Sequence, residues 1–186
     1  MIITDITGLD YTEGLATLTS HIHKKERINI HIDFGADHRE SKIIRDFVGV
    51  IFDTFEIDNP WKGRLILITD ELINNAIEHG SLPGEMDSCV INAAEDEKGE
   101  FSIVIEVHDT GNGKDAKDAT RMSEIKEKKK SQNNNIYMGK RGRGLFHITE
   151  KIVDRLSFSE SPRGGLAVKI EKNITPIFPT SKKDIK

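Results

Sequence analysis

Cysteine, tryptophan and proline are scarce in this chain of 186 residues, at one, one and five. The lone thiol, Cys89, cannot close an internal disulfide, and its alternating surroundings, SCVINAA, suit a buried structural cysteine better than a reactive one. No apolar run approaches the roughly 18 residues of a membrane span. The start, MIITDITGLDYTEG, has early acids where a secretory signal has a basic and then an apolar stretch, so the expected location is the cytoplasm. Positive charge is also in deficit: the formal net charge of −4 argues against general nucleic-acid binding. There is no internal repeat. What remains, 36% hydrophobic and 31% charged residues, is the balance of a folded globular protein, and the length suits one domain with a real core.

Alternation of apolar and polar residues predicts strands at 28–34 (INIHIDF), 88–94, 101–109 (FSIVIEVHD) and 165–171, with a shorter piece at 155–159. Helical spacing predicts helices over about 38–56, 61–79 and 144–156. The order is strand, two helices, a hairpin, a long polar loop, a helix and two strands. It points to an α+β domain over 28–172, with helices on one face of a mostly antiparallel sheet. Residues 1–27 form an extension with one candidate helix (Leu15, Leu18, Ile22) and no interpretable motif, and 173–186 form a frayed tail.

The stretch DELINNAIEHG, residues 70–80, places polar residues on a helix built for burial. At about 100° per residue, Leu65, Ile66, Ile68, Leu72, Ile73 and Ala76 form one apolar arc, and Glu71 and Asn75 fall together just outside its edge. Asp70 and Asn74, about 100° further round, are expected on the exposed side. A carboxylate and an amide oxygen one turn apart can serve a single site, the first accepting a proton and the second offering Mg²⁺ a hard ligand. Both can equally be ordinary polar residues at a helix border. His79 lies nearer the core and reads as a packed, hydrogen-bonded side chain.

Two glycine-rich turns follow. In VHDTGNGKD, Asp109 ends a strand, where it can accept a hydrogen bond from a flat donor such as a purine amino group, and Gly111 and Gly113 allow close backbone approach. A simple turn after an edge strand has the same composition. In MGKRGRGLFHITEKIV, Gly139, Gly142 and Gly144 precede a helix whose open amides suit a phosphate, with Lys140, Arg141 and Arg143 adding charge. Between Lys114 and Arg141 nine basic residues face four acids, so this segment is about +5 and the remainder about −9. It is either a solvated loop or a cover over an anionic ligand.

Taken together and in order, ELINNAIEHG, DTGNG and GRGLFHI resemble the N box and two glycine boxes of the GHKL ATP-binding superfamily. The chain looks most like the stand-alone anti-sigma-factor serine kinases of bacterial partner switching. The resemblance spans about 28–172 and implies a two-layer α/β sandwich of Bergerat type with a long ATP lid over 114–141. It implies that Asn75 holds Mg²⁺ against ATP, that Asp109 reads the adenine amino group, and that Gly111 and Gly113 pass beside the base. Gly142 and Gly144 would open to the phosphates beside Lys140, Arg141, Arg143 and Leu145, and Glu71 would be the general base. Leu166 stands where the superfamily often has a threonine that helps bind adenine through water.

The implied activity is ATP-dependent phosphorylation of a serine on an anti-sigma-factor antagonist, with a sigma factor or similar target as a second partner and a homodimer left open. No contact with nucleic acid or membrane is implied. The alternative is a non-catalytic ATP-binding switch whose lid sets partner affinity. A split histidine kinase using His38 would lack the paired dimerisation hairpin, and His38 reads better as the first residue of a helix.

Overall fold

The computed structural model describes residues 1–23, 26–131 and 152–175, with the backbone alone for 125, 126 and 128–131. Ten regular elements follow in the order β1 (Ile2–Asp5), α1 (Tyr11–Thr19), β2 (Ile28–Gly35), α2 (His38–Thr54), α3 (Trp61–Asn75), β3 (Met86–Glu95), β4 (Phe101–His108), α4 (Ala119–Ser131), β5 (Arg155–Glu160) and β6 (Leu166–Ile174). The strands form one six-stranded sheet in the order β1-β2-β3-β4-β6-β5, in which β1 and β2 are parallel and every other pair is antiparallel. This is the α+β sandwich that the alternation and helical spacing predict.

The period-two alternation of β2 puts Ile28, Ile30, Ile32 and Phe34 under the helices and turns Asn29, His31 and Asp33 to the other face. β3 and β4 follow suit with Cys89, Ile91, Ala93 and Phe101, Ile103, Ile105, Val107. On α2 the three-and-four spacing buries Ile43, Ile44, Phe47, Val48, Ile51 and Phe52. Phe52 and Phe55 bracket Phe101, with ring centroids 5.5 and 4.9 Å away, and so bind the helix layer to β4. Burying each such ring contributes about 2–3 kcal/mol.

The N-terminal stretch, expected only as an extension, supplies a strand and a helix to the domain. Ile2 lies opposite Ile30 in the sheet, and Ile6 and Leu18 are fully buried in the common core. Gly14 lets α1 press onto α2, since a β-carbon there would meet the Ile43 side chain at 2.7 Å. Glu40, 4% exposed, ties the first loop to the end of β2: its carboxylate accepts from the Gly8 amide at 2.9 Å and the Gly35 amide at 2.5 Å. Its burial pushes the carboxyl upward, and the two amides oppose that shift.

Two expectations need correction. The basic stretch after β4 is not wholly a loop, because α4 occupies Ala119–Ser131. Asp118 starts it by accepting from the Arg121 amide at 2.7 Å, and among the described side chains Met122 is buried in the core with Ala119 packed against it. The helix expected over 144–156 lies outside the described residues except at its end, where Arg155 already begins β5.

Candidate nucleotide site

The polar stripe on α3 divides between two flanks. Asp70 and Asn74 are half-buried and engaged rather than fully exposed: Ser41 donates to Asp70 Oδ1 at 3.2 Å, Arg45 Nη1 lies 3.9 Å from the same oxygen, and the His38 ring meets Asn74 Oδ1 at 3.0 Å. In a two-helix layer one edge of each apolar arc must face the neighbouring helix, and here that edge is occupied by α2. Leu67, between the flanks, is exposed at 52%. Glu71 and Asn75 lie half-buried on the opposite flank, and among the described residues neither side chain is engaged in a hydrogen bond. His38 is the first residue of α2, after its cap Asp37.

After Asn75 the helix widens into one π turn, Ala76–Gly80, closed by the Ser81 amide donating to Ala76 O at 3.0 Å. Single π turns of this kind mark functional positions in many helices. Here the turn brings Gly80 against Asp109. The Gly113 amide donates to Gly80 O at 3.0 Å, and a β-carbon on Gly113 would collide with the His79 carbonyl. A β-carbon on Gly80 would likewise collide with Asp109 Oδ2. His79, expected to be packed and hydrogen-bonded, is only half-buried, and its Nδ1 is buried with no hydrogen-bond partner among the described residues, 3.8 Å from Asp115 Oδ2.

Asp109 sits one residue past β4 and is 7% exposed. Its Oδ1 accepts from the Gly111 amide at 3.0 Å and the Leu166 amide at 2.9 Å, while its own amide donates to Leu166 O at 3.0 Å. Burial raises the carboxyl, and the two amides partly restore its acidity. Gly111 takes φ +75°, and Gly165 packs so closely that a β-carbon would strike Asp109 Oδ1 and the Gly111 amide nitrogen. Leu166, the departure from the superfamily pattern, keeps its backbone on Asp109 whatever its side chain.

The loop bearing Gly111 and Gly113 is anchored by residues that sequence reading passed over. The Thr110 amide donates to Ser81 Oγ at 3.0 Å, and the Thr110 hydroxyl donates to Glu85 Oε2 at 2.5 Å. Asn112 Nδ2 donates to Glu85 Oε1 at 2.7 Å and the Leu82 amide to Oε2 at 2.8 Å, which together lower the Glu85 carboxyl. Arg163, in the β5–β6 turn, donates from Nε to Ser88 Oγ at 3.0 Å, from Nη1 to Met86 O at 3.0 Å, and to Asp33. It thereby holds the turn carrying Gly165 over the ends of β2 and β3. Thr110 and Asn112 lie within the DTGNG box, but Ser81, Glu85 and Arg163 carry no motif signal of their own; only the small residues in EHGS and RGGL hint that backbones meet there.

The Asp109 carboxylate is thus closely walled by Gly80, Gly111 and Gly165, and the helix that leads to it carries on one flank an amide and an acid that are free among the described residues. The family model of the histidine kinase-like ATPase domain matches residues 34–172. The chain belongs to this family. No curated protein sequence matches it individually. The matched span runs from the end of β2 into β6 and so contains every residue of the site described except Asp33, the partner of Arg163. In this ATPase domain Lys140, Arg141, Gly142, Arg143, Gly144 and Leu145, expected at the phosphates, lie outside the described residues. Asn75 offers an amide oxygen, and the described residues hold no cluster of three His, Cys, Asp or Glu fit for a metal. That donor set fits Mg²⁺ shared with substrate phosphates rather than a caged ion, because Mg²⁺ keeps few protein ligands and fills its octahedron with phosphate oxygens and water. No helix among the described residues is long and apolar enough to cross a membrane.

Proposed function

We propose that this ATPase domain is a protein serine kinase that phosphorylates an anti-sigma-factor antagonist and holds a sigma factor or similar target when that antagonist is phosphorylated or absent. The observation that carries the reading is the placement of Glu71 one helical turn from Asn75, half-buried, uncommitted among the described residues, and on the helix whose following π turn meets Asp109 at Gly80. Asp109 receives the adenine amino group, and Asn75 holds Mg²⁺, which neutralises phosphate charge when bound. Glu71 takes the proton of the incoming serine hydroxyl as its oxygen bonds to the γ-phosphorus and the bond to the bridging oxygen of ADP breaks. A positioned carboxylate base contributes about 10²–10⁴-fold, and orientation with charge neutralisation supplies the rest.

The test is phosphotransfer from labelled ATP to antagonist proteins encoded beside this chain. Phosphoserine is expected with the natural sequence, a loss of at least about a hundredfold with Glu71→Gln at unchanged ADP affinity, and no Mg-nucleotide binding with Asn75→Ala. ATP-dependent capture of a partner with neither phosphotransfer nor hydrolysis would select the non-catalytic switch instead.

A further inference from the structure

Beneath the adenine-reading loop lies a carboxyl group that the proposed reaction does not use. Asp87, the second residue of β3, is fully buried opposite Phe34. Its Oδ1 is 2.5 Å from Ser81 Oγ, and its Oδ2 is buried with no hydrogen-bond partner among the described residues. Four oxygens then form a line: Asp87 Oδ1, Ser81 Oγ, Thr110 Oγ1 at 3.0 Å and Glu85 Oε2 at 2.5 Å.

Counting protons along this line decides its chemistry. Glu85 is a carboxylate receiving three donors, so the Thr110 hydroxyl proton points to it. The Thr110 amide fills one lone pair of Ser81 Oγ. Ser81 has a single proton and two neighbours that could take it. Were Asp87 ionised, it would claim that proton, leaving the Ser81 and Thr110 oxygens facing each other with none between them and a charged Oδ2 unpaired in the interior. With Asp87 as the acid, its proton goes to Ser81, that of Ser81 to Thr110 and that of Thr110 to Glu85, so every contact carries one proton and the unpaired Oδ2 is a neutral carbonyl oxygen.

We infer that Asp87 is a positioning residue of the nucleotide site, whose neutral acid form heads a one-way hydrogen-bond chain that fixes the Thr110–Gly113 loop, and that nucleotide binding takes up a proton there to complete that chain. The inference about binding rests on the reading that Asp109 receives adenine; the chain itself does not. The charged groups facing Asp87 are Asp109 from the end of β4, Glu85 from its own approach loop and Arg163 from the β5–β6 turn. The first two disfavour its anion; the Ser81 hydroxyl and the guanidinium favour it, but the guanidinium is committed to Ser88, Met86 and Asp33. Burial raises the Asp87 carboxyl to about 6. A base laid over Asp109 removes further water and requires that carboxylate to stay charged, and both effects favour the neutral Asp87.

The experiment has two arms on the full chain. Without nucleotide, the Thr110 amide resonance is followed between about pH 5 and 8, where one titration near pH 6 is expected in the natural protein and none in Asp87→Asn, whose amide donates permanently to Ser81. With Mg-ADP, calorimetry near neutral pH in two buffers of different ionisation heat should give proton uptake, up to one per nucleotide, in excess of the Asp87→Asn value. The phosphate's own titration cancels in that difference. Asp87→Asn should bind Mg-ADP within about threefold of the natural protein, and Ser81→Ala about tenfold more weakly. A Thr110 amide indifferent to pH overturns the chain, and equal proton uptake in both proteins overturns the coupling. Failure of the natural protein to bind Mg-ADP overturns the adenine reading, while the first arm still decides the chain.

Discussion

Gly165→Ala probes how tightly the Asp109 carboxylate, the proposed reader of adenine, is enclosed. The new β-carbon would lie far inside the 3.0 Å that real contacts respect, against Asp109 Oδ1, the Gly111 amide nitrogen and the Thr110 carbonyl carbon. Two of these three atoms are backbone, so no side-chain rotation removes the clash, and the carboxylate must leave the Gly111 and Leu166 amides. Each hydrogen bond to a charged group contributes about 1.5–3 kcal/mol, and overpacking costs about 1–3 kcal/mol. Because the turn can shift as a unit, the net loss of stability is expected near 3 kcal/mol rather than at the sum. Displacement of Asp109 should weaken Mg-ADP about a hundredfold. Gly164→Ala is the control: it carries φ +99°, and the nearest atom to its β-carbon is Thr110 O at 3.5 Å. It should cost about 1 kcal/mol in backbone strain and leave nucleotide affinity unchanged. Urea unfolding followed by circular dichroism, with titration calorimetry of Mg-ADP, measures both quantities. If Gly165→Ala matched the natural protein in midpoint and affinity, the enclosure of Asp109 described above would be wrong.

Asp87 makes stability pH-dependent in a definite direction. Its folded carboxyl is raised to about 6, so between about 4 and 6 the folded state keeps a proton that the unfolded state has released. The stability from this group is complete below about pH 4 and falls as pH rises through 6, by at most about 3 kcal/mol. Asp87→Asn should therefore flatten this part of the curve and unfold at higher urea than the natural protein at pH 7. Arg163→Met removes the reach from the β5–β6 turn to Asp33, Ser88 and Met86; a loss of about 1–2 kcal/mol and weaker Mg-ADP binding are expected by the same assays. Cys89 is fully buried and its thiol is pushed upward by burial, so a thiol reagent should label it only at the rate at which the domain opens.

Local patterns carried much of this molecule. Strand alternation in INIHIDF and FSIVIEVH marked which residues would lie under the helices, since a strand's two faces are set by period two alone. The N-terminal strand escaped because four residues offer too short a run to show a period. Asp70 and Asn74 were misplaced for a related reason: a helical wheel finds the edges of an apolar arc but not which edge a neighbouring helix will cover. Ser81, Glu85, Asp87 and Arg163 were invisible as a group because their contacts join positions up to 130 residues apart, and no short motif spans that distance.

By itself, the sequence determined the α+β class, the apolar faces and the order of the boxes that carry Glu71, Asn75 and Asp109, because periodicity and motif order are properties of the chain. Tertiary structure alone decided what surrounds Asp109. The π turn at Ala76–Gly80, the close approach of Gly80 and Gly165, and the proton-ordered line from Asp87 to Glu85 exist only once β3, β4 and β6 end at the same place. Burial and hydrogen-bond direction depend on those neighbours, and neighbours distant in the chain are set by folding.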